Sequence, residues 1–234
     1  MNAPRFTAKV LRIGLKALHV LGNTHAVAFA VSTDTRTLKK DDLFVALKGL
    51  NFDGHWHVET ALAKGAIGVV VSDPSSFEKI ATHYPNAVAF VVSDTQQALG
   101  DLAAHWLQVQ KPQVVMVTGS NGKTTTKELM AAIMETRSPV LKTQGNFNNL
   151  IGLPKTVLQL TSEQTVVLEA GMSELGEIAR LAEIGQPDIG VITNVNAAHL
   201  ETLGTRDNIA KARASYSMHS QTNKRPSLLS MIRT

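Results

Sequence analysis

Val114-Val115-Met116-Val117-Thr118-Gly119-Ser120-Asn121-Gly122-Lys123-Thr124-Thr125-Thr126-Lys127 is the stretch on which the reading of this chain turns. It passes from an apolar run through a glycine loop and a Lys-Thr pair into a helical pattern. Glycines let backbone N–H groups close around phosphate oxygens, because no Cβ blocks the approach and positive φ is accessible. The helix that follows aims its N-terminal donors and the positive end of its dipole at the same anion. Gly119, Ser120, Asn121, Gly122, Lys123, Thr124 and Thr125 are therefore the candidate nucleotide-binding residues. Lys123 would reach the terminal phosphates, and the Thr124 hydroxyl would sit on a phosphate-bound Mg²⁺. Val117 departs from the general phosphate-loop spacing, which expects an earlier glycine there. A purely structural turn is the competing reading; strand, loop, Lys-Thr and helix in succession favour a nucleotide.

Outward from that loop the chain alternates strand and helix. The runs 166–168 and 189–193 are nearly all apolar, as expected for a parallel sheet covered on both faces. Helical patterns follow at about 124–135, 174–184 and 208–213. This βαβ rhythm predicts an open α/β sheet with ligands at the carboxyl ends of its strands. Before Gln110-Lys111-Pro112 the layout differs. Strand-like runs fall at 26–31, 43–47, 67–71 and 87–92, with helical patterns at 58–64 and 96–110. Asp94 or Thr95 is the expected N-cap of the last helix. The expected organisation is an α/β substrate domain over 1–110, a partial ATPase-like domain over 111–212, and a pattern-poor tail over 213–234.

Composition narrows the function classes. The 234 residues are 44% hydrophobic, enough for a real core, and contain no cysteine, which excludes disulfides and thiol-ligated metals. The apolar stretch 10–21 carries Arg12, Lys16 and His19, so it is too short and too charged to span a bilayer, and no cleavage-type signal follows. A cytoplasmic monomer without membrane insertion is expected. The net charge of +4 belongs to residues 211–234, which hold five Lys and Arg and no acid; without those five charges the remainder is −1. No basic patch with interleaved aromatics is visible, so nucleic acid is not an expected partner.

Phosphate chemistry needs Mg²⁺ held by oxygen or imidazole ligands beside the loop. Glu169 ends the 166–168 run, where its carboxylate should emerge at the loop edge. His199 follows the third strand and is, on the residues alone, as readily a surface or core histidine as a ligand. Asn146, Asn148 and Asn149 lie before Ile151-Gly152-Leu153-Pro154. They read first as a turn ahead of a helix, although such amides can also fix a polar ligand. In the amino-terminal segment, Ser32, Asp34 and Arg36 come directly after a strand, and Asp53 and His55 follow a glycine-containing loop. Asp34 and Arg36 can simply pair with each other, or present a carboxylate and a fork of donors to phosphate or uracil.

Four stretches carry a resemblance: TGSNGKTTTKE, GNFNNLIGLP, LEAGMSELGEI and TNVNAAHLETLG, in order and spacing, together with amino-terminal STDTR, DLFVALKG and FDGH. Over residues 25–212 the chain resembles the bacterial Mur ligases. The Asn-Asn-x-Ile-Gly-x-Pro stretch and the Lys127-Glu128 pair resemble the branch adding D-alanyl-D-alanine to UDP-N-acetylmuramoyl-tripeptide. The resemblance implies an ATP-dependent ligase of peptidoglycan precursor synthesis acting through an acyl phosphate. It implies ATP and Mg²⁺ as cofactors, Lys123, Glu169 and His199 as catalytic residues, and Thr124, Glu169 and His199 as Mg²⁺ ligands. Ser32, Asp34, Arg36, Asp53, His55, Asn146 and Asn149 would bind substrate. Another Mur-type ligase, including the folylpolyglutamate synthetase branch, is the alternative enzyme, and a non-catalytic nucleotide-binding protein stands behind it.

The family has three domains and an Ile-Ala-x-Ala-Lys-Gly-Glu pattern whose lysine becomes a metal-binding carbamate. Here Arg213 stands in that place, and its guanidinium stays protonated. Codons compatible with residues 212–219 encode Ala-Lys-Gly-Glu-Leu-Phe-Asn-Ala once a single nucleotide is added. The expectation is a frameshifted, poorly packed tail, in which the 228–232 run has no partner and a sheet edge is left unpaired, on an inactive fragment.

Overall fold

The computed structural model describes residues 6–172, 174 and 176–194, and the backbone of residues 227–230. The chain forms two compact units, Met1–Trp106 and Leu107–Thr234. The division falls inside a helix, just before the Gln110-Lys111-Pro112 stretch.

In the first unit, Phe6–Thr7 (β1) leads into Ala8–Gly14 (α1), capped by the Thr7 hydroxyl, which accepts from the Val10 N–H at 3.4 Å. There follow His19–Gly22 (β2), Val27–Ala28 (β3), Val31–Ser32 (β4), Leu43–Val45 (β5), Val58–Ala63 (α2), Gly68–Val71 (β6), Ser75–Glu78 (α3), Val88–Val91 (β7) and Thr95–Gln110 (α4). The main sheet has the order β2-β7-β6-β5-β4; β2 runs antiparallel to β7 and the other pairs are parallel. All four residues of β6 and of β7 are buried, which explains why those runs read as continuous rather than alternating. Phe44, Leu62, Val69, Val71, Phe77 and Ala89 form the centre of one core cluster. Asp94 is the cap of α4, its carboxylate accepting from the Gln97 N–H at 2.7 Å.

The run 26–31 is not one strand. Its first part, β3, pairs antiparallel with β1, while β4 pairs parallel with β5. Between them the Phe29 N–H donates to the Asp41 carbonyl at 3.0 Å, so the chain leaves one ladder and enters another. A β-rich composition specifies extended backbone but not which partner satisfies it.

The second unit contains Gln113–Thr118 (β8), Lys123–Glu135 (α5), Val140–Lys142 (β9), Gly152–Val157 (α6), Thr165–Glu169 (β10), Glu177–Gly185 (α7), Ile189–Ile192 (β11) and Ser227–Ser230 (β12). The sheet is wholly parallel, in the order β12-β11-β8-β10-β9. From β8 the chain goes first to the edge strand β9, returns to β10 between β9 and β8, and then crosses to β11 on the other side, so β8 marks the topological switch point where open α/β sheets bind ligands. Val115, Val117, Val167 and Val191 from three adjacent strands meet Ala131 of α5 in the core. On α7, Ile178, Leu181, Ala182 and Ile184 are buried on one stripe, and burying each large aliphatic side chain contributes about 1.5–3 kcal/mol.

Two expectations are corrected here. The helix expected over 174–184 begins only at Glu177, behind Gly176, which has φ +91°. The 228–232 run does have a partner: Ser227–Ser230 pair in parallel with Ile189–Ile192 and cover the edge expected to be open. An exposed strand edge offers unpaired N–H and C=O groups to any extended segment that can reach it, whatever that segment's origin. The helix expected at 208–213 lies outside the described residues. Among the described residues no helix is long and apolar enough to cross a membrane.

Candidate functional site

The phosphate loop lies where the sequence places it, between the end of β8 and the start of α5. Gly122 takes φ +78° as the N-cap of α5 and offers no side chain to cap it. The first-turn N–H groups are therefore directed at the loop without a helical carbonyl behind them, as an anion site requires. The Lys123 ammonium lies over the loop, donating to the carbonyls of Gly119 at 2.9 Å and Ser120 at 3.3 Å.

The end of β11 clamps the other side of the loop. Thr193 donates its hydroxyl to the Asn121 carbonyl at 2.6 Å, and Asn194 brackets Asn121, accepting from its N–H and donating to its carbonyl, both at 3.0 Å. The Asn194 carbonyl also accepts from the Ser120 N–H at 3.1 Å. A Cβ at Gly119, where φ is +149°, would lie 1.9 Å from the Thr193 hydroxyl oxygen, so any side chain there forces Thr193 to move.

Glu169, the last residue of β10, is 2% exposed. One carboxylate oxygen accepts from the Thr124 hydroxyl and the other from the Asn148 side-chain amide, each at 2.9 Å. The backbone N–H of Glu169 donates to the Thr143 hydroxyl at 3.0 Å. Among the described residues no Lys, Arg or His pairs with this carboxylate, although a buried anion is costly without a cation. A hydroxyl and a buried carboxylate with no cationic partner among the described residues, both hard oxygen donors beside the glycine loop, fit Mg²⁺. Among the described residues no three of His, Asp and Glu converge on one point. His199 lies outside the described residues.

Of the three asparagines, Asn148 is the one on Glu169. Asn149 accepts from the N–H groups of Ile151 at 3.1 Å and Gly152 at 2.8 Å, the turn-and-cap role that the residues alone favoured. Asn146 accepts through its backbone carbonyl from the Asn148 N–H at 2.7 Å. Asn148 belongs to the amide run that the residues offer for a polar ligand but is not among the expected substrate contacts, and Thr143, Thr193 and Asn194 are not among the expected site residues at all. Their only sequence signal is position just beyond a strand or within the asparagine run.

In the first unit, Arg36 forms a fork on Asp34, with Nη2 to Oδ2 at 2.6 Å and Nε to Oδ1 at 3.0 Å. That hydrogen bond and the carboxylate charge raise the Arg36 pKa. Ser32 closes the same turn, accepting from the Asp34 N–H at 3.2 Å. Asp53 and His55 line a separate cavity of about 340 Å³ with Lys48, Trp56, Asp73 and Lys79. Ser32, Asp34 and Arg36 do not line it. His55 Nδ1 faces Asp53, and Nε2 accepts from the Ser72 N–H at 2.9 Å; these partners assign the proton to Nδ1. Burial pushes the Asp53 carboxyl up, but the His55 hydrogen bonds and nearby positive charge outweigh it and leave it below the usual range. Trp56 is 79% exposed at the rim, with two lysines in the wall, an arrangement suited to a ligand with both a ring and an anion.

Two sequence profiles cover most of the chain: the Mur ligase family catalytic domain over residues 29–107 and the Mur ligase middle domain over residues 117–226. The chain belongs to the Mur ligase family. Mur ligases are ATP-dependent amide-forming enzymes. The chain is 44% identical over 189 residues to UDP-N-acetylmuramoyl-tripeptide–D-alanyl-D-alanine ligase of Bacillus subtilis, a match covering 80% of this chain and 40% of that protein. Its structure is similar to MurF from Acinetobacter baumannii, with a TM-score of 0.85 and 32% identity, covering 99% of this chain and 49% of that one. It is also similar to the MurF ligase of Thermotoga maritima solved in complex with ADP, with a TM-score of 0.75 and 34% identity, covering 86% of this chain and 45% of that one. This Mur ligase chain thus spans less than half the length of the relatives it matches.

Proposed function

We propose that this chain supplies the ATP·Mg²⁺ site and the UDP-substrate domain for joining D-alanyl-D-alanine to UDP-N-acetylmuramoyl-tripeptide in the cytoplasm. The observation that carries the reading is the Thr124–Glu169 pair beside the phosphate loop, where the carboxyl ends of β8 and β10 meet. Identity of 44% to a D-alanyl-D-alanine-adding ligase supports that branch over other Mur-type ligases.

In this reading the loop N–H groups from Gly119 to Thr125 hold the ATP phosphates, and Lys123 leaves the loop carbonyls to meet the β and γ phosphates. Thr124 and Glu169 would hold the metal, with His199 as the third ligand implied by the family. Mg²⁺ when bound would neutralise charge on the transferring phosphoryl group. The γ-phosphoryl group passes to the terminal carboxylate of the tripeptide, leaving ADP and an acyl phosphate. The amine of D-alanyl-D-alanine then attacks the acyl carbon, phosphate departs and an amide remains. The cavity around Asp53, His55 and Trp56, and the Ser32–Asp34–Arg36 turn, are the proposed contacts of the UDP-linked substrate.

Because the chain spans 40% of the Bacillus subtilis relative, binding is tested before turnover. Titration with ATP by calorimetry should show saturable binding that Mg²⁺ strengthens and that Lys123→Ala weakens at least tenfold, about 1.4 kcal/mol. ATP binding indifferent to both would refute the site. Phosphate release in the presence of all three substrates then reports whether this chain also catalyses.

A further inference from the structure

Lys127 is a buried charge that the phosphate chemistry leaves unused. It lies 1% exposed on α5, one turn beyond Thr124. Its ammonium donates to the Thr143 carbonyl at 2.7 Å and pairs with Glu128 at 2.8 Å. Glu128 is itself half exposed and is held from β9 by Lys142, also at 2.8 Å. An ammonium at this depth is costly, and an apolar side chain of similar length would fill the volume with less penalty. What an apolar side chain lacks is a donor for the Thr143 carbonyl.

Thr143 is fully buried just beyond β9, and each of its polar groups is engaged. Its N–H donates to the Val167 carbonyl at 3.1 Å, its hydroxyl accepts from the Glu169 N–H at 3.0 Å, and its carbonyl accepts from Lys127. The residue therefore joins the helix that carries Thr124 to the backbone of Glu169. The two side-chain donors on the Glu169 carboxylate, Thr124 and Asn148, can exchange for other partners. The backbone anchor through Thr143 is independent of what the carboxylate binds. We propose that Lys127 and the Thr143 hydroxyl are positioning residues that fix Glu169 relative to Thr124 for a divalent cation. The inference rests on the reading of Glu169 and Thr124 as metal ligands. Mg²⁺ makes such positioning consequential, because it demands near-octahedral geometry at short oxygen distances. Hydrogen bonds one step behind metal ligands commonly govern affinity by one to two orders of magnitude.

The test measures ATP affinity of the full chain by calorimetry, once with Mg²⁺ and once with EDTA, and takes the ratio. Thr143→Val should reduce the Mg²⁺-dependent gain about tenfold while leaving the EDTA value within about twofold. Thr143→Ser, which keeps the hydroxyl, should restore the gain. Lys127→Met should act like Thr143→Val, and if it fails to fold, the Val and Ser pair at position 143 carries the test. An unchanged ratio in Thr143→Val, or an equal loss with EDTA, overturns the positioning role. Absence of any Mg²⁺ gain in the unaltered chain overturns the metal-site reading itself, a different and recognisable result.

Discussion

Replacing Gly119 with alanine puts a Cβ 1.9 Å from the Thr193 hydroxyl oxygen, 3.1 Å from the Thr193 Cβ and 3.2 Å from the Asn194 nitrogen, at φ +149°. Replacing Gly122 with alanine, at φ +78°, puts a Cβ where no atom lies within 4 Å. The two variants share backbone strain but only the first forces a neighbour to move. Strain at Gly122→Ala should cost about 1–2 kcal/mol. Gly119→Ala adds displacement of Thr193, whose hydroxyl reaches the carbonyls of Asn121 and Thr118 at 2.6 and 3.3 Å. With about 1 kcal/mol for each such hydrogen bond and about 1–3 for the strain, its total is about 3–5 kcal/mol. Thermal denaturation followed by circular dichroism should show a fall on the order of 10 °C for Gly119→Ala and only a few degrees for Gly122→Ala. Adding Thr193→Ala to Gly119→Ala should cost less than its effect alone, because the closest clash disappears. Equal destabilisation by the two glycine variants, or strict additivity with Thr193→Ala, would refute the clamp between β11 and the loop.

Asn194→Ala, which removes both bonds to Asn121, should weaken ATP and ADP binding about tenfold and leave AMP binding nearly unchanged, as read by competition calorimetry. Trp56 is largely exposed while Trp106 is 4% exposed, so UDP titration should change tryptophan fluorescence through Trp56 alone, and Trp56→Phe should abolish the response. The Glu128 carboxyl is held down at about 2 by hydrogen bonds from Lys127 and Lys142. A carboxyl lowered on folding contributes stability that is complete above its unfolded value of 4.5 and lost as pH falls toward 2. Urea denaturation across that window should therefore show a smaller acid loss for Glu128→Gln than for the unaltered chain.

The phosphate loop was legible because its strand, glycines, Lys-Thr and helix are contiguous, and contiguity is what a sequence records best. Glu169 was legible for a related reason, as the polar end of an apolar run that becomes a fully buried strand. The clamp and the anchor were not. Thr143 and Asn194 act through partners 26 and 73 residues away, and a lone threonine or asparagine after a strand carries no signal of that partner. The asparagine run shows the same limit: Asn149 closes the turn ahead of α6, a local role, while Asn148 reaches Glu169 at the end of β10, 21 residues away. The strand β9 was also missed, because three partly buried residues carry too little periodicity. Extended backbone pairs with whichever edge packing brings near, which is why the single strand expected at 26–31 divides between two ladders and part of the 228–232 run, expected to have no partner, joins β11.

The most direct measurement of the central claim is a crystal structure of this chain with ADP and Mn²⁺ in place of Mg²⁺, located by anomalous scattering. The account predicts the β-phosphate against the N–H groups of residues 122–125, and the metal within about 2.2 Å of the Thr124 hydroxyl and the Glu169 carboxylate. Manganese elsewhere, with Thr124 still hydrogen-bonded to Glu169, or a nucleotide bound away from the loop, would contradict it.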